Sequence, residues 1–172
     1  MKRRALLAGI GPAGIGLALA GCGFHPLYGP RPAGGGAQRG LSQIQVALIP
    51  GRDGQLLRQA LQRLFDRGEG APKIYELSVG YNLIVDQVGF QQDSTMTRYR
   101  LIANATWALR SVETGATLTN GQTTSLDGVD VLDQQYFAAD LAVGTTQRRL
   151  ADAVGAQISQ QVAVYLDQRA AA

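Results

Sequence analysis

The sequence has very little of the chemistry that most enzymes and metal sites use. Its 172 residues include one cysteine, Cys22, and one histidine, His25. A single cysteine excludes a disulfide within the chain, and two residues cannot supply the roughly four Cys and His ligands of a structural zinc site. A nucleophile–histidine pair would have to use His25, which lies just after an apolar leader. The composition therefore favours a protein that is not an enzyme and holds no metal or dissociable cofactor.

Excess charge of one sign is also missing from the body of the chain. The 16 Lys and Arg against 13 Asp and Glu give a formal charge of +3. Three of the cations are Lys2, Arg3 and Arg4, so the rest of the chain is neutral. A neutral domain offers no broad basic surface to a phosphate backbone. Nucleic acid is therefore not an expected partner.

The first 22 residues have the pattern of an export leader. The three N-terminal cations precede an apolar run, from Ala5 to Ala20, that glycines and Pro12 interrupt. The run is shorter than a typical membrane span and fits the apolar part of a secretory signal. We therefore predict that residues 1–21 are a signal peptide. The general secretory route is the default, because the consensus for twin-arginine export is missing around Arg3 and Arg4.

The end of this leader resembles the lipobox of bacterial lipoproteins. It reads Leu19-Ala20-Gly21-Cys22, with small residues directly before the only cysteine of the chain. The resemblance implies cleavage before Cys22, a thioether from its thiol to diacylglycerol, and acylation of the new N-terminus. Two or more acyl chains anchor a protein firmly to a membrane. An ordinary signal peptide with a chance cysteine is the alternative.

Hydrophobic periodicity predicts one domain, residues 41–172, after a flexible Gly- and Pro-rich tether that completes the segment 22–40. Alternating and helical patterns occur in the order strand, helix, three strands, helix. The predicted elements are a strand over 42–50, a helix starting at an Asp53 N-cap, strands over 75–85, 98–110 and 116–127, and a helix from about Gly144. This order predicts an α+β, two-layer sandwich in which two helices cover one face of a four-stranded, mostly antiparallel sheet. Residues 129–143 have no clear pattern.

The residues after the lipobox resemble the mature start of the LptE family, the lipopolysaccharide-assembly lipoproteins of Gram-negative bacteria. That family commonly begins Cys-Gly-Phe-x-(Pro/Leu)-(Leu/x)-Tyr, and here Cys22 and Gly23 precede Phe24, Pro26, Leu27 and Tyr28. The order of elements is similar as well. The resemblance implies a lipoprotein on the periplasmic side of the outer membrane, for which Gly23 is permissive.

This resemblance also implies a function and its partners. Members of the family plug the lumen of the LptD β-barrel, help it to assemble and take part in delivering lipopolysaccharide to the outer leaflet, without catalysing a reaction. The apolar segment Phe24–Tyr28 is then a candidate partner-binding site, with packing on its own domain as the alternative. An accessory periplasmic lipoprotein of another envelope lipid-transport machine is the alternative function. A lipid-anchored hydrolase is disfavoured by the single histidine.

A candidate ligand-facing surface lies on the third predicted strand. Arg98, Arg100 and Arg110 share one face of it, opposite Leu101 and Trp107. Arginine suits the phosphates of lipopolysaccharide, so these side chains could contact that ligand or acidic groups in the partner's lumen. The alternative, which the neutral charge favours, is a solvated face with cross-strand pairs to carboxylates on the neighbouring strand.

Overall fold

The computed structural model describes residues 36–66, 70–90, 96–130 and 136–171. Three helices and four strands lie in these ranges. In chain order they are α1 (Gly36–Ser42), β1 (Ile44–Val46), α2 (Arg52–Phe65), β2 (Tyr75–Phe90), β3 (Met96–Ser111), β4 (Thr117–Asp130) and α3 (Tyr136–Ala171).

The four strands form one sheet in the order β1-β2-β3-β4. Strand β1 is parallel to β2, with Ile44 opposite Tyr75, and the other two pairings are antiparallel. A helical crossover, α2, joins the parallel pair, as parallel neighbours require. The predicted α+β arrangement, with its order of strands and helices, is confirmed.

The core lies between α2, α3 and one face of the sheet, here called the inner face. Alternation along β2 and β3 turns every second side chain inward, and the helical stripes of α2 and α3 meet them. Fully buried members of this core are Leu57, Leu61, Phe65, Leu77, Leu101, Leu109, Leu150, Val154, Ile158 and Val162. The two helices cross closely at Gly155, where a Cβ would lie 3.3 Å from the Cβ of Ala60.

The structure differs from the sequence prediction at several ends of elements. Strand β1 is three residues long instead of nine, because Ser42 already ends α1 and the chain turns away before Pro50. The N-cap of α2 is Gly51 with no side-chain hydrogen bond, so the prediction of Asp53 as the cap is wrong; Asp53 lies in the first turn. Helix α3 starts at Tyr136, ahead of the predicted start.

Helix α1 is an element that the sequence does not predict. Its residues 36–40 overlap the end of the segment expected to be a tether. Leu41 and Ser42 are buried, and a Cβ at Gly40 would lie 2.9 Å from Cδ1 of Leu166. The helix therefore packs on α3, and this tertiary contact stabilises a glycine-rich sequence that has little helix propensity of its own.

Glycine makes possible the tight turn from β1 into α2. Gly51 has φ of 83°, in the left-handed region that favours glycine. Gly54 is buried under the same turn, and a Cβ there would lie 2.7 Å from Cγ2 of Ile49 and 3.0 Å from its carbonyl oxygen. The turn therefore seats Ile49, which is 1% exposed, in the core.

Candidate functional site

The candidate functional site is the sheet face opposite the helices, here called the outer face. Both helices of the sandwich pack on the inner face, so in the described part of the chain nothing covers the outer one. The strand register aligns the outer side chains of β2, β3 and β4 in rows that run across the strands. These rows differ in chemistry along the length of the sheet.

The row of charged residues lies toward the end of the β2–β3 hairpin. Arg100 donates to Asp86 across the β2–β3 pair, with Nη2 to Oδ2 at 3.4 Å. Arg98 pairs with Asp130 on β4, with Nε to Oδ1 at 3.4 Å. All four side chains are 40–71% exposed, so each pair is worth at most about 1 kcal/mol.

Arg110 lies at the other end of the same face. The register places it opposite Glu76, whose Oε2 accepts a hydrogen bond from Nε2 of Gln45 at 3.0 Å. The three arginines therefore share the outer face, but the length of β3 separates Arg110 from the other two. The ten residue steps from Arg100 to Arg110 correspond to roughly 33 Å along a strand. They do not form one cluster.

The middle of the outer face combines an apolar row with a row of amides and hydroxyls. Ile84, Ile102 and Leu126 are aligned across the three long strands, and Leu126 is 69% exposed. In the next row, Oγ1 of Thr124 donates to Oδ1 of Asn104 at 2.8 Å. Cross-strand neighbours of this kind each contribute about 0.2–1 kcal/mol.

Small residues leave a shallow depression near β1. It has a volume of about 380 Å³, and its lining includes Leu48, Ser78, Gly80, Thr106 and Ala108. A Cβ at Gly80 would lie 3.0 Å from Oγ1 of Thr106. Leu48 is 74% exposed at this depression. The depression is open and has no charged side chain in its lining.

Polar contacts, which the sequence did not predict, join α3 to the inner face at β3 and β4. Nε1 of Trp107 donates to Oε1 of Gln161 at 3.1 Å, and Arg149 pairs with Asp127 at 2.7 Å. The Thr123 hydroxyl bonds the Gln157 side chain. The signal for these contacts is present in β4, whose inner positions 121, 123, 125 and 127 are small or polar. Hydrogen bonds therefore replace apolar packing along this side of the core.

Tyr81 is the titratable group with a large pKa change in the described part of the chain. Burial on the inner face, and secondarily the negative charge of Asp53, raise its pKa to about 12. The phenol therefore stays neutral across the physiological range. Tyr81 packs against the hydrophobic core.

Neither a metal-ligand cluster nor a spanning helix occurs in the described residues. No three His, Cys, Asp or Glu side chains there lie close enough to hold a metal ion. No helix within the described ranges combines the length and the apolar character needed to cross a membrane. Cys22 and the candidate partner segment, Phe24, Pro26, Leu27 and Tyr28, lie outside the described residues.

Comparison with solved structures places the fold among bacterial lipoproteins. A candidate lipoprotein from Caulobacter crescentus CB15 is 29% identical, with a TM-score of 0.64 over 77% of this chain and 96% of the other. A minor lipoprotein from Acinetobacter baumannii is 14% identical, with a TM-score of 0.55 over 72% and 92%. Rare lipoprotein B from Shewanella oneidensis is 12% identical, with a TM-score of 0.53 over 70% and 92%.

These structural neighbours are bacterial lipoproteins. The two neighbours with low identity show the shared fold alone, whereas the Caulobacter protein is also similar in sequence over nearly its whole length. No family model matches the sequence, and no curated protein matches it either. The comparisons therefore support a lipoprotein of the bacterial envelope.

Proposed function

We propose that this chain is a lipoprotein anchored through Cys22 to the periplasmic side of the outer membrane, where it plugs the lumen of the LptD barrel. The observation that carries the proposal is the uncovered outer face. Among the described residues it is mostly polar or small outside the apolar row of Ile84, Ile102 and Leu126, and its charges near the hairpin end are paired. Large outer-membrane barrels have polar interiors, so such a face suits their inner wall.

The dimensions of the sheet also support the proposal. Strands β2 and β3 have 16 residues each, which corresponds to roughly 53 Å of extended chain. The apolar band of an outer-membrane barrel is only about 25 Å tall. The sheet is therefore long enough to fill a lumen over its whole height while its helices keep it rigid.

A solved structure and a sequence resemblance add support. The rare lipoprotein B of Shewanella has a similar fold, and the segment Phe24–Tyr28 resembles the mature start of the LptE family. We propose that this segment contacts the barrel close to the anchor, because apolar side chains beside the membrane gain from a receptor groove. We further propose that the chain catalyses no reaction and that it carries a covalent lipid on Cys22 and no dissociable cofactor.

Delivery of lipopolysaccharide is the second part of the proposed function. Arg98 and Arg100 remain about half exposed despite their ion pairs. A guanidinium has five N–H donors, so one carboxylate leaves others free for phosphate oxygens. We propose that these two arginines contact lipopolysaccharide phosphates or acidic groups of the lumen, whereas Arg110 would form a separate contact.

Reversing both charges, in the variant Arg98→Glu/Arg100→Glu, tests this surface. We expect the fold to survive with about 1–2 kcal/mol less stability, because each new carboxylate opposes an exposed Asp86 or Asp130. We expect lipopolysaccharide binding to fall, and the loss to be largest at low salt. Arg63→Glu on α2, which breaks a similarly exposed ion pair with Asp152 away from the outer face, is the control and should leave binding unchanged. If the folded double variant bound lipopolysaccharide as well as the wild type, the two arginines would have no ligand role and would serve only in cross-strand ion pairs.

Depletion of the protein in cells tests the role in assembly. A plug that also helps its barrel to assemble stabilises the folded barrel by mass action. We therefore expect less correctly assembled LptD and less lipopolysaccharide at the cell surface after depletion. Both are measured on outer-membrane fractions, by the mobility of the folded barrel and by surface labelling. Normal levels of both after complete depletion would contradict the proposed function.

A further inference from the structure

Strand β4 is a free edge of the sheet. It has β3 on one side and, within the described ranges, no strand on the other. Alternate N–H and C=O groups along its 14 residues therefore point away from the sheet. Proteins usually block such edges with charged side chains, proline, a bulge or a short strand. The β4 sequence, TLTNGQTTSLDGVD, is long and contains no lysine, arginine or proline, and its two aspartates, Asp127 and Asp130, are paired with Arg149 and Arg98.

A groove lies beside the last residues of this edge, between β4 and α3. Its volume is about 390 Å³, and it is lined mainly by Val129, Leu141, Ala142, Thr145, Thr146 and Arg149. Leu141 is 70% exposed there, whereas Leu150, Ile158 and Leu166 of the same helix are buried. The groove thus presents apolar surface directly next to the open edge of the sheet.

The charges around the groove are already compensated. Asp127 pairs with Arg149 at 2.7 Å and Asp130 pairs with Arg98 at 3.4 Å. The second oxygen of Asp127 accepts the N–H of Gly128 at 2.8 Å. An occupant therefore gains little from charge, and an uncharged apolar side chain suits the groove best.

We propose that β4 binds an extended segment of a partner protein, which adds a fifth strand to the sheet and inserts an apolar side chain into the groove under α3. Main-chain hydrogen bonds supply affinity in this mode, and the pocket for alternate side chains supplies specificity. The inference goes beyond the proposed function and does not depend on it, because it concerns the edge of the sheet and not its outer face.

The chain's own N-terminal segment is poorly placed to be this occupant. Eight steps from Tyr28 to Gly36 span at most about 28 Å. Helix α1 packs at Leu166, which is 21 residues beyond Thr145 on α3, or roughly 32 Å along the helix. Even a fully extended linker is shorter than that separation, and Pro26 in the middle of the segment has no N–H to donate.

A second copy is also a weaker candidate. Paired with itself, β4 would offer mostly Thr, Asn, Gln, Ser and Gly, and only three large apolar side chains, Leu118, Leu126 and Val129. A partner strand with regular apolar alternation fits the groove better.

The test uses residues 22–172 with Cys22→Ser, so that the chain carries no lipid. The probe is a synthetic peptide, acetyl-Lys-Thr-Val-Thr-Leu-Thr-Val-Lys-amide, and the matched probe is the same peptide with alternate amide nitrogens methylated. Binding and amide hydrogen exchange are followed by NMR. We expect saturable binding of the first peptide, with exchange of alternate β4 amides slowed about tenfold or more, and no binding of the methylated peptide.

Two variants on α3 separate the groove from other apolar surface. Leu141→Ser should lower the affinity for the first peptide about tenfold, because it removes apolar area from the groove. Val164→Ser, at a 40% exposed position of the same helix outside the groove, should leave affinity unchanged. Equal binding of both peptides, no saturable binding at millimolar concentration, or shifts confined to other strands would overturn the proposal. Protection, in the absence of peptide, of the β4 amides that point away from β3 would also overturn it, by assigning the edge to the N-terminal segment or, if protection rises with protein concentration, to a second copy.

Discussion

Replacing Ile158 with alanine is expected to lower the free energy of unfolding by about 2–5 kcal/mol. Ile158 is fully buried on α3 and belongs to the core between the two helices and the inner face. Truncation leaves a cavity that close-packed neighbours cannot fill completely. Leu61→Ala, at a fully buried position of α2, should have an effect of the same size. Urea denaturation followed by circular dichroism measures both.

Matched exposed positions on the same helices control for helix propensity. Gln59 on α2 and Gln160 on α3 are exposed, so alanine at either should change stability by no more than about 0.5 kcal/mol. Gln62 is a poorer control, because it is partly buried. If alanine at Gln59 or Gln160 lowered the free energy of unfolding as much as alanine at Leu61 or Ile158, the helices would present different faces to the sheet.

The substitution Cys22→Ser is expected to abolish acylation and to release the protein from the membrane. A serine hydroxyl cannot form the thioether to diacylglycerol, and without acyl chains the anchoring free energy is lost. Labelling with a radioactive fatty acid should fall to background. The protein should be found in the soluble fraction or as a precursor that keeps its signal peptide. Mass spectrometry of the wild-type protein should show a mature N-terminus at Cys22.

Stability provides the control for this variant. Cys22 lies upstream of the domain, so the melting temperature of the soluble part should be unchanged. A mature N-terminus at another residue, or full fatty-acid labelling of Cys22→Ser, would contradict the lipidation prediction.

Hydrophobic periodicity predicted most of the fold. The stripe Leu150, Val154, Ile158, Val162 and Leu166 is buried throughout, and Trp107 packs in the core as its spacing indicates. These positions are predictable because burial of one face acts on many residues of the same element at once. The outward phase of the three arginines followed from the same alternation.

The parts that the sequence did not predict depend on tertiary contacts. Helix α1 is stabilised by tertiary contacts: Leu41 is part of the core, and Gly40 lies against Leu166 of α3. No local sequence pattern predicts these contacts. Helix α2 begins directly after Gly51, whose φ lies in the left-handed region. The sequence alone favours Asp53 as the N-cap, because aspartate is a common capping residue and the turn at Gly51 is not visible in it. The groove beside β4 arises from two elements distant in sequence, so periodicity within either one does not show it.

The most direct test of the proposed function is purification of the lipidated protein, tagged at its C-terminus, from outer membranes after photo-crosslinking. Crosslinkers placed at Gln122 and Thr106 on the outer face, and at Gln59 on α2 as the matched control, report which face meets a partner. The proposal predicts that the two outer-face positions crosslink to the LptD barrel in a stable complex. Recovery of the protein as a free monomer, with no barrel crosslinked to either outer-face position, would contradict it.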